Sequence, residues 1–101
     1  MSCETIIAEI FTERQRQLNI EGFTFNHDDQ HTDGSLADAA ASYAMGGSRY
    51  AYVKFHPPGI WPSNWGIEWW KPKNRRHDLV KAGALIVAEI ERLDRKKEIK
   101  L

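Results

Sequence analysis

The chain has 101 residues, and its 14 Lys and Arg balance its 14 Asp and Glu, so the formal net charge is zero. A chain of this length fits one domain, residues 1–101, and leaves no room for two. Hydrophobic residues make up 42% of the chain and charged residues 28%, which is typical of a globular protein and excludes a disordered one. No apolar run approaches the roughly 20 residues that a membrane span requires.

Cysteine usage and the N-terminal sequence predict the compartment. Cys3 is the only cysteine, which excludes an internal disulfide and fits a reducing environment. The first residues show no charged lead followed by an apolar stretch, so no signal peptide is predicted. We therefore expect a cytoplasmic protein that has no membrane partner.

The charges are unevenly distributed along the chain. Residues 1–45 carry eight acidic and two basic side chains, whereas residues 46–101 carry six acidic and twelve basic ones. Such asymmetry is typical of a protein that meets a charged partner with one face. Attraction between the two halves within the fold explains it equally well.

The first half of the chain predicts two helices. The first, about residues 4–18, is amphipathic, and its apolar positions are Ile7, Ile10, Phe11 and Leu18. Gly22 breaks this pattern, and the polar segment 23–34 predicts a loop. The second helix, residues 35–45, begins with a capping box formed by Ser35 and Asp38. Its packing face consists of Leu36, Ala40, Tyr43 and Ala44.

A third helix is predicted over residues 74–95, with Asn74 as its N-cap. Apolar and small residues recur at the helical period and form a stripe about four turns long. The stripe consists of Leu79, Ala82, Gly83, Ile86, Ile90 and Leu93. We expect this stripe to be the buried spine of the core. Ile86→Asp would then place an unpaired charge in the core and unfold the protein.

Residues 47–73 form a connection of about 25 residues, which is long for a loop without regular structure. Residues 50–55 allow one short strand, and Pro57, Pro58 and Pro62 prevent regular structure after it. The predicted fold class is mostly α: a small single domain of about three helices with a long aromatic-rich connection.

This connection leads into a basic run at the start of the third helix, and together they predict a ligand site. Indole rings stack on flat ring systems, Arg and Lys pair with phosphates, and a helix N-terminus favours an anion. The predicted ligand-binding residues are Trp61, Trp65, Trp69, Trp70, Lys71, Lys73, Arg75, Arg76 and His77. A planar anionic ligand such as a nucleotide fits these groups, and Arg75→Ala and Arg76→Ala should weaken its binding. Alternatively, the four tryptophans fill the thin core of a small domain.

A second cluster of polar side chains lies between residues 21 and 33. It contains Glu21, His27, Asp28, Asp29, His31 and Asp33. Carboxylates and imidazoles are metal ligands, but the spacing matches no helical two-histidine motif and no calcium loop. No metal or cofactor is therefore predicted, and a chelator should leave folding unchanged.

The acidic residues on the helices suggest an enzyme as the alternative. Glu9 and Glu13 lie four positions apart, and Asp38 and Asp78 are candidates to face them. All-helical nucleotide pyrophosphatases hold Mg²⁺ between carboxylates on facing helices. Solvated helix faces explain the same acids. Nothing in the sequence predicts a catalytic nucleophile, so no catalytic residue is assigned.

Two family resemblances follow from these segments. Four segments resemble the ryanodine-receptor repeat domain. They are the Ala-Glu helix at 7–9, the Gly-Phe-Thr-Phe turn within 21–25, the acidic pair 28–29 and the helix start at 73–81. That resemblance implies a ligand-binding module with a nucleotide-like ligand. Segments 69–73, 78–86 and 89–93 look like a family of short phage and prophage proteins, which implies an infected host cell as the setting.

The resulting hypothesis is a phage-type, non-catalytic module that binds or sequesters a nucleotide-like anionic small molecule, with a counter-defence role. One alternative is a metal-dependent nucleotide pyrophosphatase. The other is an inhibitor that docks on a host enzyme through exposed tryptophans, because Trp and Arg dominate interface hot spots. A host protein partner and a homo-oligomer are both compatible with the sequence.

Overall fold

The computed structural model describes residues 2–22, 24–45, 57 and 59–99, with side chains up to residue 96. It is mostly helical and confirms the predicted fold class. The elements in chain order are α1 (Cys3–Asn19), α2 (Phe25–Asp29), α3 (Ser35–Met45), a 3-10 helix (Ile67–Trp69) and α4 (Arg75–Ile99). The strand allowed at 50–55 lies outside the described residues. None of the helices in these ranges is both long and apolar enough to cross a membrane.

Helix α1 confirms the first predicted helix. Ser2 is its N-cap, and its hydroxyl accepts a hydrogen bond from the backbone N–H of Thr5 at 3.2 Å. The Ile20 N–H donates to the Arg16 carbonyl at the other end. Gly22 follows with φ +78°, a left-handed conformation that glycine adopts without steric cost. The chain can therefore reverse direction directly after α1.

The prediction of a loop over residues 23–34 is wrong in part, because α2 forms within this segment. Thr24 caps this short helix by accepting a hydrogen bond from the His27 N–H at 3.2 Å. Gly34, with φ +83°, then turns the chain into α3. The predicted capping box is wrong: Ser35 is the first residue of α3, and its N–H donates to the Asp33 carboxylate at 3.1 Å.

The core lies between α3 and α4. Its buried apolar residues are Leu36, Ala39, Ala40, Tyr43, Trp70, Ala82, Leu85 and Ala88. Leu36, Ala40 and Tyr43 confirm the packing face predicted for α3. Alanines on both helices let the two backbones approach closely, so few large side chains are needed to fill the space between them.

Helix α4 begins as predicted, because the Asn74 side chain accepts a hydrogen bond from the His77 N–H at 2.8 Å. The predicted buried stripe is wrong. Only Ala82 of that stripe is buried, and Gly83 is half-buried. The large members are exposed: Leu79 by 43%, Ile86 by 49%, Ile90 by 52% and Leu93 by 47%. The face that packs against α3 is the one that carries Leu85 and Ala88.

Helix α1 also turns charged residues inward. Charged Glu13 and Arg14 and the neutral Gln17 are buried, whereas Ile7 and Phe11 are exposed by 57% and 64%. Helices α1 and α4 come close at Gly83, where an added Cβ would lie 3.0 Å from Ile10 Cδ1. The absence of a side chain at that position therefore allows Ile10 to pack against α4.

Several ion pairs join the acidic half of the chain to its basic half. Arg76 pairs with Glu9 at 2.6 Å, Arg95 pairs with Asp29 at 2.7 Å, and Lys71 pairs with Glu21 at 3.2 Å. In each pair the cation comes from the basic half of the chain and the carboxylate from the acidic half. These contacts support attraction between the halves as one source of the asymmetry.

Candidate functional site

Trp61 and Trp70 pack around Tyr43 in an aromatic cluster at the core, and Trp65 meets Trp61 edge-on with ring centroids 5.6 Å apart. The Tyr43 ring centroid lies 4.8 Å from that of Trp70 and 5.8 Å from that of Trp61, and the two indoles are 5.2 Å apart. The Tyr43 hydroxyl donates to the Trp69 carbonyl at 2.9 Å and accepts from the Lys71 N–H at 2.8 Å. This tyrosine therefore fixes the backbone between the 3-10 helix and α4, and Trp61 and Trp70 fill the space beside it.

Trp65 and Trp69 are half-buried and line an open cleft between α2 and the 3-10 helix. This histidine–tryptophan cleft spans about 370 Å³, a volume that includes space open to solvent, and it is lined by His27, His31, Asn64, Trp65, Gly66 and Trp69. The ring centroids of His31 and Trp65 lie 5.3 Å apart. The cleft thus combines two indole rings with two imidazoles and one side-chain amide.

The two histidines are held by a chain of side-chain contacts. His27 Nδ1 lies 3.1 Å from Asp28 Oδ1, and His31 Nδ1 lies 3.1 Å from the Ser35 hydroxyl. Their Nε2 atoms are 3.4 Å apart. Asp28 is fully buried and pairs with the buried Arg14 at 2.8 Å, which fixes the carboxylate that orients His27. Burial lowers the pKa of His31, and the charge of His27 lowers it further.

Local sequence explains why both histidines reach this cleft. Thr24 caps α2 three residues before His27. His31 follows four residues after His27, one residue past the C-cap Gln30. Residues four apart share one side of a helical turn. Arg95 of α4 holds α2 in position, because its guanidinium lies 4.4 Å from the Phe25 ring centroid and also pairs with Asp29.

A second cleft shares Trp65 and Trp69 with the first one. The other residues that line it are Arg16, Gln17, Glu21, Tyr43, Lys71, Lys81 and Leu85. Lys81 is 8% exposed, donates to the Lys71 carbonyl at 3.2 Å and lies 4.8 Å from the Tyr43 ring centroid. Burial lowers the pKa of Lys81, against the attraction of Glu13. Burial raises the pKa of Tyr43 to about 12.

Most polar groups of this second cleft bind one another. Arg16 contacts Glu13 at 2.8 Å and Glu21 at 2.9 Å. The Gln17 amide donates to Glu13 at 3.2 Å, and Gln17 Oε1 has no hydrogen-bond partner among the described residues. The second cleft is therefore largely a structural network, and the histidine–tryptophan cleft is the better candidate site.

The nine residues predicted for one ligand site are divided among three places. Trp65, Trp69 and Lys71 lie together, with the Lys71 Nζ atom 5.3 Å from the Trp69 ring centroid. Trp61 and Trp70 pack at the core, as the alternative to a ligand site expected. The rest of the basic run, Lys73, Arg75, Arg76 and His77, lines neither cleft.

These four residues instead organise the start of α4. The Lys73 N–H donates to Asp78 at 2.9 Å, and Arg75 donates to the Ala44 carbonyl. Arg76 pairs with Glu9, and His77 faces α1 across a groove that Val80 also lines. The basic run therefore anchors α4 to its neighbours.

Sequence reasoning did not include His27, His31 or Asn64 in the ligand site. Residues 23–34 were predicted to be a loop, and a four-residue spacing indicates that two side chains lie on the same side only in a helical turn. The spacing of His27 and His31 therefore did not predict that they lie together. No local signal joins Asn64 to them, since it is brought near by the packing of the connection.

The acids expected for a magnesium enzyme are not assembled. Glu9 is bound by Arg76 and Glu13 by Arg16, and these contacts lower the pKa of each carboxyl, for Glu13 in spite of its burial. Asp38 is exposed, and Asp78 accepts the Lys73 N–H. Within the described part of the chain, no group of three or more His, Cys, Asp or Glu side chains is placed to hold a metal ion.

Comparisons of the chain with protein families, with curated proteins and with solved structures found no match.

Proposed function

We propose that this chain is a non-catalytic binding module that holds a planar, anionic small molecule of the nucleotide class in the histidine–tryptophan cleft. The observation that carries the proposal is the convergence of Trp65 and Trp69 with His27 and His31 around one open cleft. The phage setting and the counter-defence role remain proposals that rest on the resemblance of the sequence.

The chemistry of the cleft suits the two parts of such a ligand. Indole faces accept a stacked base, which contributes about 1–3 kcal/mol. The imidazole nitrogens and the Asn64 amide supply hydrogen bonds at the base edge or the sugar. Lys71 lies in the adjoining second cleft beside Trp69, and its side chain is 52% exposed. Its ammonium group, which pairs with Glu21 at 3.2 Å, supplies a cation for a phosphate that extends past Trp69. At the upper ends of their ranges, two stacking contacts and two charge-assisted ones contribute about 12 kcal/mol. A cost of about 4 kcal/mol for immobilising the ligand then leaves about 8 kcal/mol, which corresponds to a micromolar Kd.

The two alternatives have less support. A pyrophosphatase requires carboxylates that are free to bind Mg²⁺, and Glu9 and Glu13 are already bound by arginines. An inhibitor that docks through tryptophans requires exposed indoles, whereas Trp70 is buried and the other three tryptophans are half-buried.

The test is a screen of mono-, di- and cyclic nucleotides by tryptophan fluorescence and isothermal titration calorimetry. We expect at least one to bind with a micromolar Kd. Because Arg75 and Arg76 line neither cleft, the informative substitution is Lys71→Ala, which should weaken binding about tenfold or more by removing one charge-assisted contact.

Lys73→Ala is the matched control, since Lys73 is exposed two residues away and lines neither cleft. It should bind as the parent does. Both variants should keep the melting temperature of the parent. If no nucleotide quenches the tryptophans, or if Lys71→Ala binds as tightly as the parent, the proposal is wrong.

A further inference from the structure

The paired imidazoles of the histidine–tryptophan cleft have a geometry that nucleotide binding does not require. We propose that His27 and His31 bind one divalent transition-metal ion of the zinc class through their Nε2 atoms. The inference does not depend on the nucleotide, because it concerns only these two rings and the groups that hold them.

The distance between the two nitrogens matches that between two ligands of one tetrahedral ion. Zn–N bonds are about 2.0–2.1 Å, so two nitrogens at the tetrahedral angle of about 109° lie about 3.3–3.4 Å apart. The observed Nε2–Nε2 distance is 3.4 Å. Both rings line the wall of the open cleft, so an ion between the two nitrogens is reachable from solvent.

The outer nitrogens carry the contacts that metal-binding histidines usually have. A histidine that binds a metal through Nε2 typically donates its Nδ1–H to a carboxylate or another oxygen, which fixes the tautomer and the ring orientation. His27 Nδ1 meets the Asp28 carboxylate, and His31 Nδ1 meets the Ser35 hydroxyl, both at 3.1 Å. Arg14 holds Asp28 from the other side, so this carboxylate supports the first ring and is not a ligand itself.

The ligand type decides the class of ion. Imidazole nitrogens suit Zn²⁺, Ni²⁺ and Cu²⁺, whereas Mg²⁺ and Ca²⁺ require oxygen ligands. Two protein ligands leave the remaining coordination positions directed into the cleft. Water fills them in the free protein, and an anionic oxygen of a bound molecule can replace it.

We expect the chain to fold without this ion, so a chelator should leave the fold unchanged. In the metal-free protein, His27 donates Nδ1–H to Asp28 and accepts at Nε2 from the His31 Nε2–H. The Ser35 hydroxyl then donates to His31 Nδ1. When the ion binds, His31 changes tautomer: Nε2 gives its proton to water, Nδ1 takes one from water, and the ring, still neutral, donates its Nδ1–H to the Ser35 oxygen. The same heavy atoms serve both states.

The experiment is titration of the full chain with Zn²⁺ alone, followed by calorimetry and by NMR of the imidazole C–H groups. We expect saturable binding of one ion per chain, with signal changes confined to His27 and His31 among the four histidines of the sequence. Mg²⁺ should produce neither effect. Absence of saturable uptake, signal changes at the other histidines alone, or equal binding of Mg²⁺ would each overturn the inference.

Variants add a matched comparison. His27→Ala and His31→Ala should each weaken Zn²⁺ binding at least about tenfold, and His77→Ala, which removes a histidine outside the cleft, should not. The NMR measurement on the parent protein decides the question if either alanine variant fails to fold. Since no nucleotide is present, failure here is distinct from failure of the proposed function.

Discussion

The two faces of α4 invert the arrangement expected of an amphipathic helix. The face toward the core carries Leu85 and three small alanines together with Asp78, Lys81 and Arg92, all of them buried. The opposite face carries four large aliphatic residues, each about half exposed: Leu79, Ile86, Ile90 and Leu93. A helix can therefore bury its smaller and more polar side when each buried charge has a hydrogen-bond or ion-pair partner.

Those partners are visible around each buried charge. Asp78 accepts the Lys73 N–H, Lys81 donates to the Lys71 carbonyl, and Arg92 pairs with Glu89 at 2.6 Å. Burial of a polar group that has a hydrogen-bond partner costs little folding free energy, whereas burial of an unpaired charge costs several kcal/mol. The difference in burial between the two faces of α4 thus depends on specific contacts, and single substitutions can test it.

Leu85→Ala should have the largest effect on the folded state. Leu85 is 2% exposed at the centre of the core, so its truncation removes apolar burial and leaves a cavity, at a cost of about 2–5 kcal/mol. Its neighbour in sequence provides the matched control, since Ile86→Ala on the exposed face should cost less than about 1 kcal/mol. Urea unfolding of both variants measures the difference. Equal losses would mean that the two faces do not differ in burial.

Acid should weaken the contacts of the buried carboxylate Glu13 on α1. Arg16 and Gln17 stabilise the Glu13 carboxylate, so the pKa of Glu13 in the folded chain lies below its usual value of 4.5 in spite of burial. A lowered folded pKa contributes stability that is present above pH 4.5 and is lost as the pH falls through the folded pKa. The free energy of unfolding should therefore decrease from pH 5 to pH 3.

Glu13→Gln should be less stable than the parent at pH 7 and should show a shallower decrease toward pH 3. Urea midpoints at several pH values between 3 and 7 provide the measurement. An unchanged pH slope in the variant would show that Glu13 is not one of the titrating groups.

Ile86→Asp should have the smallest effect, which reverses the expectation from the sequence. Ile86 is 49% exposed, so the cost should be close to that of Ile86→Ala, at most about 1 kcal/mol. Thermal unfolding and light scattering test this together. A large loss of stability accompanied by a halved molar mass would mean that a second copy of the chain covers this face in solution.

Sequence alone determined the three longer helices, α1, α3 and α4, but not α2 or the 3-10 helix. The N-cap at Asn74 was identifiable because it depends on a contact within one turn, and the alanine-rich face of α3 was identifiable from periodicity. The existence of an aromatic cluster also followed from composition. The candidate site was only partly predictable: Trp65, Trp69 and Lys71 were included, and the histidines were recognised as a separate cluster.

Tertiary structure alone decided which face of each helix is buried and which segments form a cleft. Periodicity locates a stripe but does not identify its neighbour, so the stripe of α4 that includes Ile86 was assigned to the core, whereas α3 and its alanines pack against the Leu85 side. In the same way, the pairing of Arg76 with Glu9 joins residues 67 positions apart, and no local pattern in the sequence indicates it. The meeting of His27 and His31 with Trp65 depends on contacts between distant segments, and such contacts are set by the packing of the whole chain.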